Sequence, residues 1–186
     1  MNVLALAGSL RAASINAAFC RAASRLAPPG LHIARYPDLG VLPLFNPDLE
    51  IAPPRLVAQF RAAIGDADAL ILASPEYAHG ISGVMKNALD WLVSYERFVA
   101  KPVAVVNTSP RARHAYESLL EVLKTMSATL VQEASITVPL LGHCSTEEQM
   151  VSNPAIAAQI RAALTALHEF VSLGSRQGPS FPVGAQ

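Results

Sequence analysis

Five short apolar runs, each too brief for a typical helix, alternate along the chain with segments whose apolar residues recur at helical spacing. The runs are Val3–Ala7, Leu31–Tyr36, Ala69–Ala73, Val103–Val106 and Leu130–Val138. Between them, Ile15–Leu26 ends at Pro28-Pro29-Gly30, and Leu56, Phe60 and Ile64 share one helical face. Val84–Val93 and Tyr116–Met126 read as further helices, and Ile156, Ile160, Leu164, Leu167 and Val171 mark a last one. Strands that are apolar throughout are buried on both faces, and parallel strands need helical crossovers. The pattern therefore predicts an α/β domain with a mostly parallel sheet, and right-handed crossovers make it doubly wound. In such a sheet ligands bind beyond the carboxyl ends of the strands, where the strand order reverses. Attention falls on the loops after the first, third and fourth strands.

The length of 186 residues suits one domain, and 52% hydrophobic against 15% charged residues suits a packed core rather than a disordered chain. Fourteen basic and 14 acidic residues give zero formal charge, which argues against nucleic acid or an anionic membrane surface as partner. Any anion site must be local. Cys20 and Cys144 have no metal-ligand spacing and read as small buried hydrophobes in a reducing cytoplasm, so neither a metal nor a disulfide is expected. The first residues lack the basic flank of a signal peptide, and no apolar stretch approaches the ~18 residues of a membrane span. The expected organisation is a domain over residues 1–173 and a Gly/Pro/Ser-rich, flexible tail over 174–186.

The first loop reads Gly8-Ser9-Leu10-Arg11-Ala12-Ala13-Ser14 and runs into a helix through Ile15 and Asn16. Amides at a helix start lack intrahelical partners, and they and the helix dipole favour an anion. Gly8 permits a sharp turn, Ser9, Ser14 and Asn16 can donate, and Arg11 adds a forked charge. With neither GxGxxG nor GxxxxGK[ST] present, the loop suits a terminal phosphate rather than a bridging pyrophosphate. The plainer alternative is that Ser14 caps the helix and Arg11 is solvated.

The second loop, "SPEYAHGISGVMKNALDW", follows the third strand. A proline-stiffened segment beside exposed amides suits a flat heteroaromatic ring, which Tyr77 could stack on or line. His79 is either a surface residue or a proton donor near a site. Trp91 reads as core, and Lys86 with Asp90 as a helix-surface pair.

Together, "GSLRAASIN" and "SPEYAHGISGVMKNALDW" resemble the NAD(P)H-dependent FMN reductase family, which includes quinone, azo-dye and chromate reductases. The likeness extends roughly from Met1 to Val171. It implies a flavodoxin-like, five-stranded parallel sheet in the order 2-1-3-4-5 with helices on both faces. It implies FMN as cofactor and NAD(P)H as co-substrate, with hydride passed to a flavin, quinone or azo-type acceptor by a ping-pong mechanism. Ser9, Arg11, Ser14 and Asn16 would hold the phosphate, with the Ile15 backbone. Pro75, Glu76 and Tyr77, followed by Ala78, His79 and Gly80, would lie along the isoalloxazine, mainly through main-chain contacts. Lys86 and Asn87 match a pair that supports loop and helix. No catalytic side chain is implied.

Where the family commonly has Asn-Gly, this chain has Ala78-His79, which removes a side-chain contact near the ring. Where the family often has paired glycines after strand four, the loop reads "NTSPRARHAYES". Thr108, Ser109 and Pro110 would border the ring, while Arg111 and Arg113 would meet the 2′-phosphate or pyrophosphate of NADPH or else remain solvated. The family implies a homodimer, or a tetramer, with the loop and helix after strand three in the interface. A flavodoxin-like electron carrier is the competing reading, but carriers are usually acidic for docking, and this chain has no net charge.

Overall fold

In a computed structural model the chain builds a twisted parallel sheet between two layers of helices; the structure describes residues 1–140 and 144–176. The first strand, β1 (Asn2–Ala7), leads into α1 (Ile15–Leu26), β2 (His32–Arg35), α2 (Arg55–Asp66) and β3 (Ala69–Ala73). A small hairpin, β4 (Glu76–Tyr77) and β5 (Gly80–Ile81), precedes α3 (Gly83–Asp90), β6 (Pro102–Asn107) and α4 (Arg113–Thr125). The chain then forms β7 (Thr129–Leu130), β8 (Ile136–Thr137), α5 (Glu147–Ser152) and α6 (Pro154–Arg176). The sheet order is β2-β1-β3-β6-β7, with β8 also on β6, and every pair in it is parallel. Counting β7 and β8 as one interrupted strand, this is the flavodoxin-like 2-1-3-4-5 order, whose reversal lies between β1 and β3.

Strand alternation divides the core. Val3, Ala5, Ala7, Ile71, Ala73, Ala104 and Val106 face α1 and α6, where Phe19, Leu26, Ile160, Leu164 and Leu167 are buried. Leu4, Leu6, Leu70, Leu72, Val103 and Val105 face the other way, onto Phe60, Ile64, Met85, Leu89, Leu119 and Leu123. Side chains pointing alternately to the two faces fix the register, because a one-residue slip would exchange the two sets.

Three features differ from the expectation. The fifth strand is not continuous over Leu130–Val138, because a 3₁₀ turn at Gln132–Ala134 separates β7 from β8. Val131 and Ala134 are buried through that turn, and Ser135 repairs the ladder. Its Oγ accepts from Val105 N at 3.1 Å and donates to Val131 O at 2.9 Å. The short helix α5 was not expected; Thr146 and Gln149 close a reciprocal capping box at its start. The last helix, started by Asn153 Oδ1 accepting from Ala155 and Ile156 amides, runs to Arg176, and the rest of the expected tail lies outside the described residues.

Candidate functional site

At the carboxyl edge of β1, β3 and β6 three loops enclose a cavity of about 350 Å³. The first wall comes from Ser9, Arg11, Ala13, Ser14, Ile15 and Asn16, the second from Ser74–Tyr77, and the third from Asn107–Ser109 with Arg111 and Ala112. These are the loops singled out from the sequence. Among the expected residues, Ala78, His79, Gly80, Pro110 and Arg113 do not reach the cavity wall.

Gly8 is required by close approach rather than by a left-handed turn. A Cβ there would lie 2.7 Å from Ser74 Oγ and 3.1 Å from Met85 Cβ, so a side chain would push the β1 and β3 exits apart. Gly8 N also donates to Ala73 O at 2.8 Å, which holds the two exits together.

Ser14 does cap α1: its Oγ accepts from Ala17 N at 3.1 Å. The cap uses the hydroxyl as acceptor, which leaves its proton available for donation. Capping and anion binding are therefore compatible at this residue. The buried Asn16 accepts from Thr108 Oγ1 at 3.0 Å through its Oδ1, tying the first loop to the third. Its Nδ2 has no protein partner among the described residues. The Arg11 guanidinium likewise makes no ion pair or hydrogen bond among the described residues, an open charge beside the opening amides of a helix.

Glu76 lines the cavity, and its side chain has a further role that was not expected. Its Oε2 accepts from Ala115 N at 2.9 Å, capping the start of α4, where no local side chain serves. The second loop thus positions the helix that follows the third. Asn107 shapes that third loop, with Oδ1 accepting from Ser109 N at 3.0 Å and Nδ2 donating to Ala112 O at 3.3 Å. Asn107, Ala112, Ala13 and Ser74 line the cavity without having been expected; all four directly flank the expected stretches.

Ala78 and His79, with φ of 49° and 60°, form the two-residue turn of the β4–β5 hairpin. Such turns ordinarily favour Asn-Gly because both central residues are left-handed. The His79 ring lies over His114, with centroids 4.3 Å apart, and so leans toward α4 rather than into the cavity. Arg111 lines the cavity, but Arg113 is 79% exposed and stands 3.7 Å from Glu117 on its own helix.

The supporting residues behave as expected. Asn87 accepts from Phe45 N at 2.8 Å and donates to Pro43 O at 3.0 Å, pinning the long loop to α3. Trp91 is buried, and its indole N–H donates to the same carbonyl. Lys86 pairs with Asp90. Cys20 and Cys144 are both free and buried. No helix of the described residues is long and apolar enough to cross a membrane.

Comparison with known proteins identifies a family and a shared fold. The model of the NADPH-dependent FMN reductase family matches residues 1–141. An NAD(P)H-dependent FMN reductase of Pseudomonas aeruginosa is 40% identical over 112 residues, 59% of this chain and 60% of that one. An NADPH:quinone oxidoreductase of Arabidopsis thaliana is 43% identical over 114 residues, 58% of each chain. The chain thus spans about 60% of the length of these curated relatives. Among solved structures, the flavoenzyme NAD(P)H:acceptor oxidoreductase FerB of Paracoccus denitrificans superposes with a TM-score of 0.71 at 23% identity. The match covers 90% of this chain and 97% of FerB, a likeness of fold.

Proposed function

Because the chain belongs to the NADPH-dependent FMN reductase family, we propose that its cavity holds FMN and that the protein oxidises NAD(P)H to reduce small acceptors of the quinone, flavin or azo type. Bound FMN would supply the two-electron carrier, and the chain's own part is binding and orientation. Arg11, the Ser9 and Ser14 hydroxyls, Asn16 Nδ2 and the opening amides of α1 would hold the phosphate. Pro75–Tyr77 and Thr108–Ser109 would border the ring. Nicotinamide and acceptor would use the same open side in turn, so ping-pong kinetics are expected.

The observation that carries this reading is the convergence of the Arg11 guanidinium and the Asn16 amide nitrogen, both unpartnered among the described residues, with a helix start on one wall of a cavity of about 350 Å³. That donor set fits a phosphate ester on a flat ligand. The test is reconstitution with FMN, followed by steady-state oxidation of NADH and NADPH with a quinone and an azo dye. Failure to bind FMN, or to consume either nicotinamide, removes the reading.

Arg111 alone, rather than a pair with Arg113, would meet a phosphate of NADPH, since Arg111 lines the cavity and Arg113 does not. A homodimer or homotetramer goes with the reading, supported by Leu44 at 83% and Ile51 at 99% exposure on the long loop before α2. Light scattering that finds a fully active monomer would remove it. The two buried free thiols agree with a cytoplasmic setting.

A further inference from the structure

The phosphate loop is a ridge with a cavity on each side. Ser9 and Arg11 line both the cavity described above and a second one of about 400 Å³, which opens toward the segment after β2. This second space falls within the range of about 300–1,000 Å³ typical of small-molecule sites. Its lining includes Arg11, Arg21 and Arg35 and, among the described residues, one acidic residue, Asp38. In a chain with zero formal charge, that is a local concentration of cations.

The partners of these groups decide what they can recognise. Among the described residues Arg35 donates only to carbonyl oxygens, Tyr36 O at 3.1 Å and Pro37 O at 2.8 Å, so its charge is held in place without a carboxylate partner there. Arg21 is paired with Glu147 at 2.9 Å, and Arg11 is unpaired among the described residues. Asp38 accepts from Gly40 N at 2.7 Å through Oδ1, which leaves Oδ2 open to a hydroxyl donor. Leu10 and Val41 add apolar surface at 59% and 51% exposure. Guanidinium forks suit phosphate, and a carboxylate past the second strand is the group that dinucleotide folds use for ribose hydroxyls. The apolar surfaces suit the face of a base.

We propose that this second cavity binds the adenylate part of a dinucleotide, its phosphate on Arg35 and its ribose on Asp38. The choice of a dinucleotide rests on the flavin reading above. The adenylate could belong to FAD, whose flavin half would occupy the first cavity, or to NADPH. Assignment of the NADPH phosphates to Arg111 would favour FAD.

The test uses the full chain with ADP as probe. Calorimetric titration of the FMN-loaded protein is expected to show ADP binding, weakened about tenfold in Arg35→Gln and in Asp38→Asn, with FMN affinity unchanged. No ADP binding, or equal binding by wild type and both variants, overturns the proposal. Two further arms identify the source. A fall in the affinity of FAD relative to FMN in Arg35→Gln assigns the adenylate to the flavin. A rise in KM for NADPH at unchanged flavin affinity assigns it to the nicotinamide. If neither changes, the dinucleotide assignment is overturned even where ADP binds. Should FMN not bind at all, the functional reading fails first, and titrating the flavin-free protein with ADP still decides the cavity.

Discussion

The Arg11 guanidinium has no protein partner among the described residues, and removing it tests one interaction without breaking another. Arg11→Ala should weaken FMN binding by about 1.5–3 kcal/mol, the usual worth of a hydrogen bond to a charged group, and leave riboflavin little affected. Fluorescence quenching titrations measure both, and equal losses would point to a folding defect. Arg111→Ala should raise KM for NADPH more than for NADH and spare FMN affinity. Identical changes for the two nicotinamides would rule out recognition of the 2′-phosphate. Ser9, Arg11 and Ser14 were legible in the sequence because a helix start with hydroxyls and a fork is a local pattern. The Asn16–Thr108 bond was not, since its partners lie 92 residues apart and meet only once the sheet has formed. The cap that the Glu76 side chain supplies was not legible for the same reason. The motif around Glu76 said where the loop goes, while the amide that its carboxylate caps belongs to another crossover.

Two elements depend on a substitute for regular geometry. In the interrupted fifth strand, Ser135 Oγ takes the Val105 N–H that a continuous strand would have taken. Ser135→Ala should therefore leave a central-sheet amide unsatisfied and cost about 1–3 kcal/mol, read from the urea midpoint. A change below a few tenths of a kcal/mol would show that water replaces the hydroxyl. In the β4–β5 hairpin, Ala78 and His79 hold left-handed backbone without the glycine or asparagine that tolerates it. The double substitution Ala78→Asn, His79→Gly should raise stability by about 1 kcal/mol, visible as a higher Tm, unless the lost His79–His114 contact outweighs the relieved backbone. The strands β1, β3 and β6 and most helices were readable because their periodicity is strong and their burial one-sided or complete. The break at Gln132–Ala134 was not, because "LVQEASITV" keeps enough apolar residues to pass for one strand. Its turn is set by where Val131 and Ala134 find core to fill.

Across the whole molecule, burial leaves a signature in alkali. Enclosure of Cys20 among apolar groups pushes its thiol up from 9.0 to about 12. The folded chain then keeps a proton that the unfolded chain releases, so this contribution to stability is complete below the ordinary thiol range and lost as pH climbs toward 12. Burial lowers Lys101, which acts in the opposite sense, so the comparison needs a variant. Urea midpoints at about pH 8 and about pH 10.5 should fall less in Cys20→Ala than in the wild type. Identical falls would mean that the thiol takes no part. The split between β7 and β8 has a further consequence, which concerns other molecules. A long, straight outer strand is a template on which a second chain can extend the sheet, the first step toward fibrils. Here the outer strand on one side comes as two residues, a turn and two more, too short and too bent to seed such growth. The interruption protects that rim of the sheet in a crowded solution.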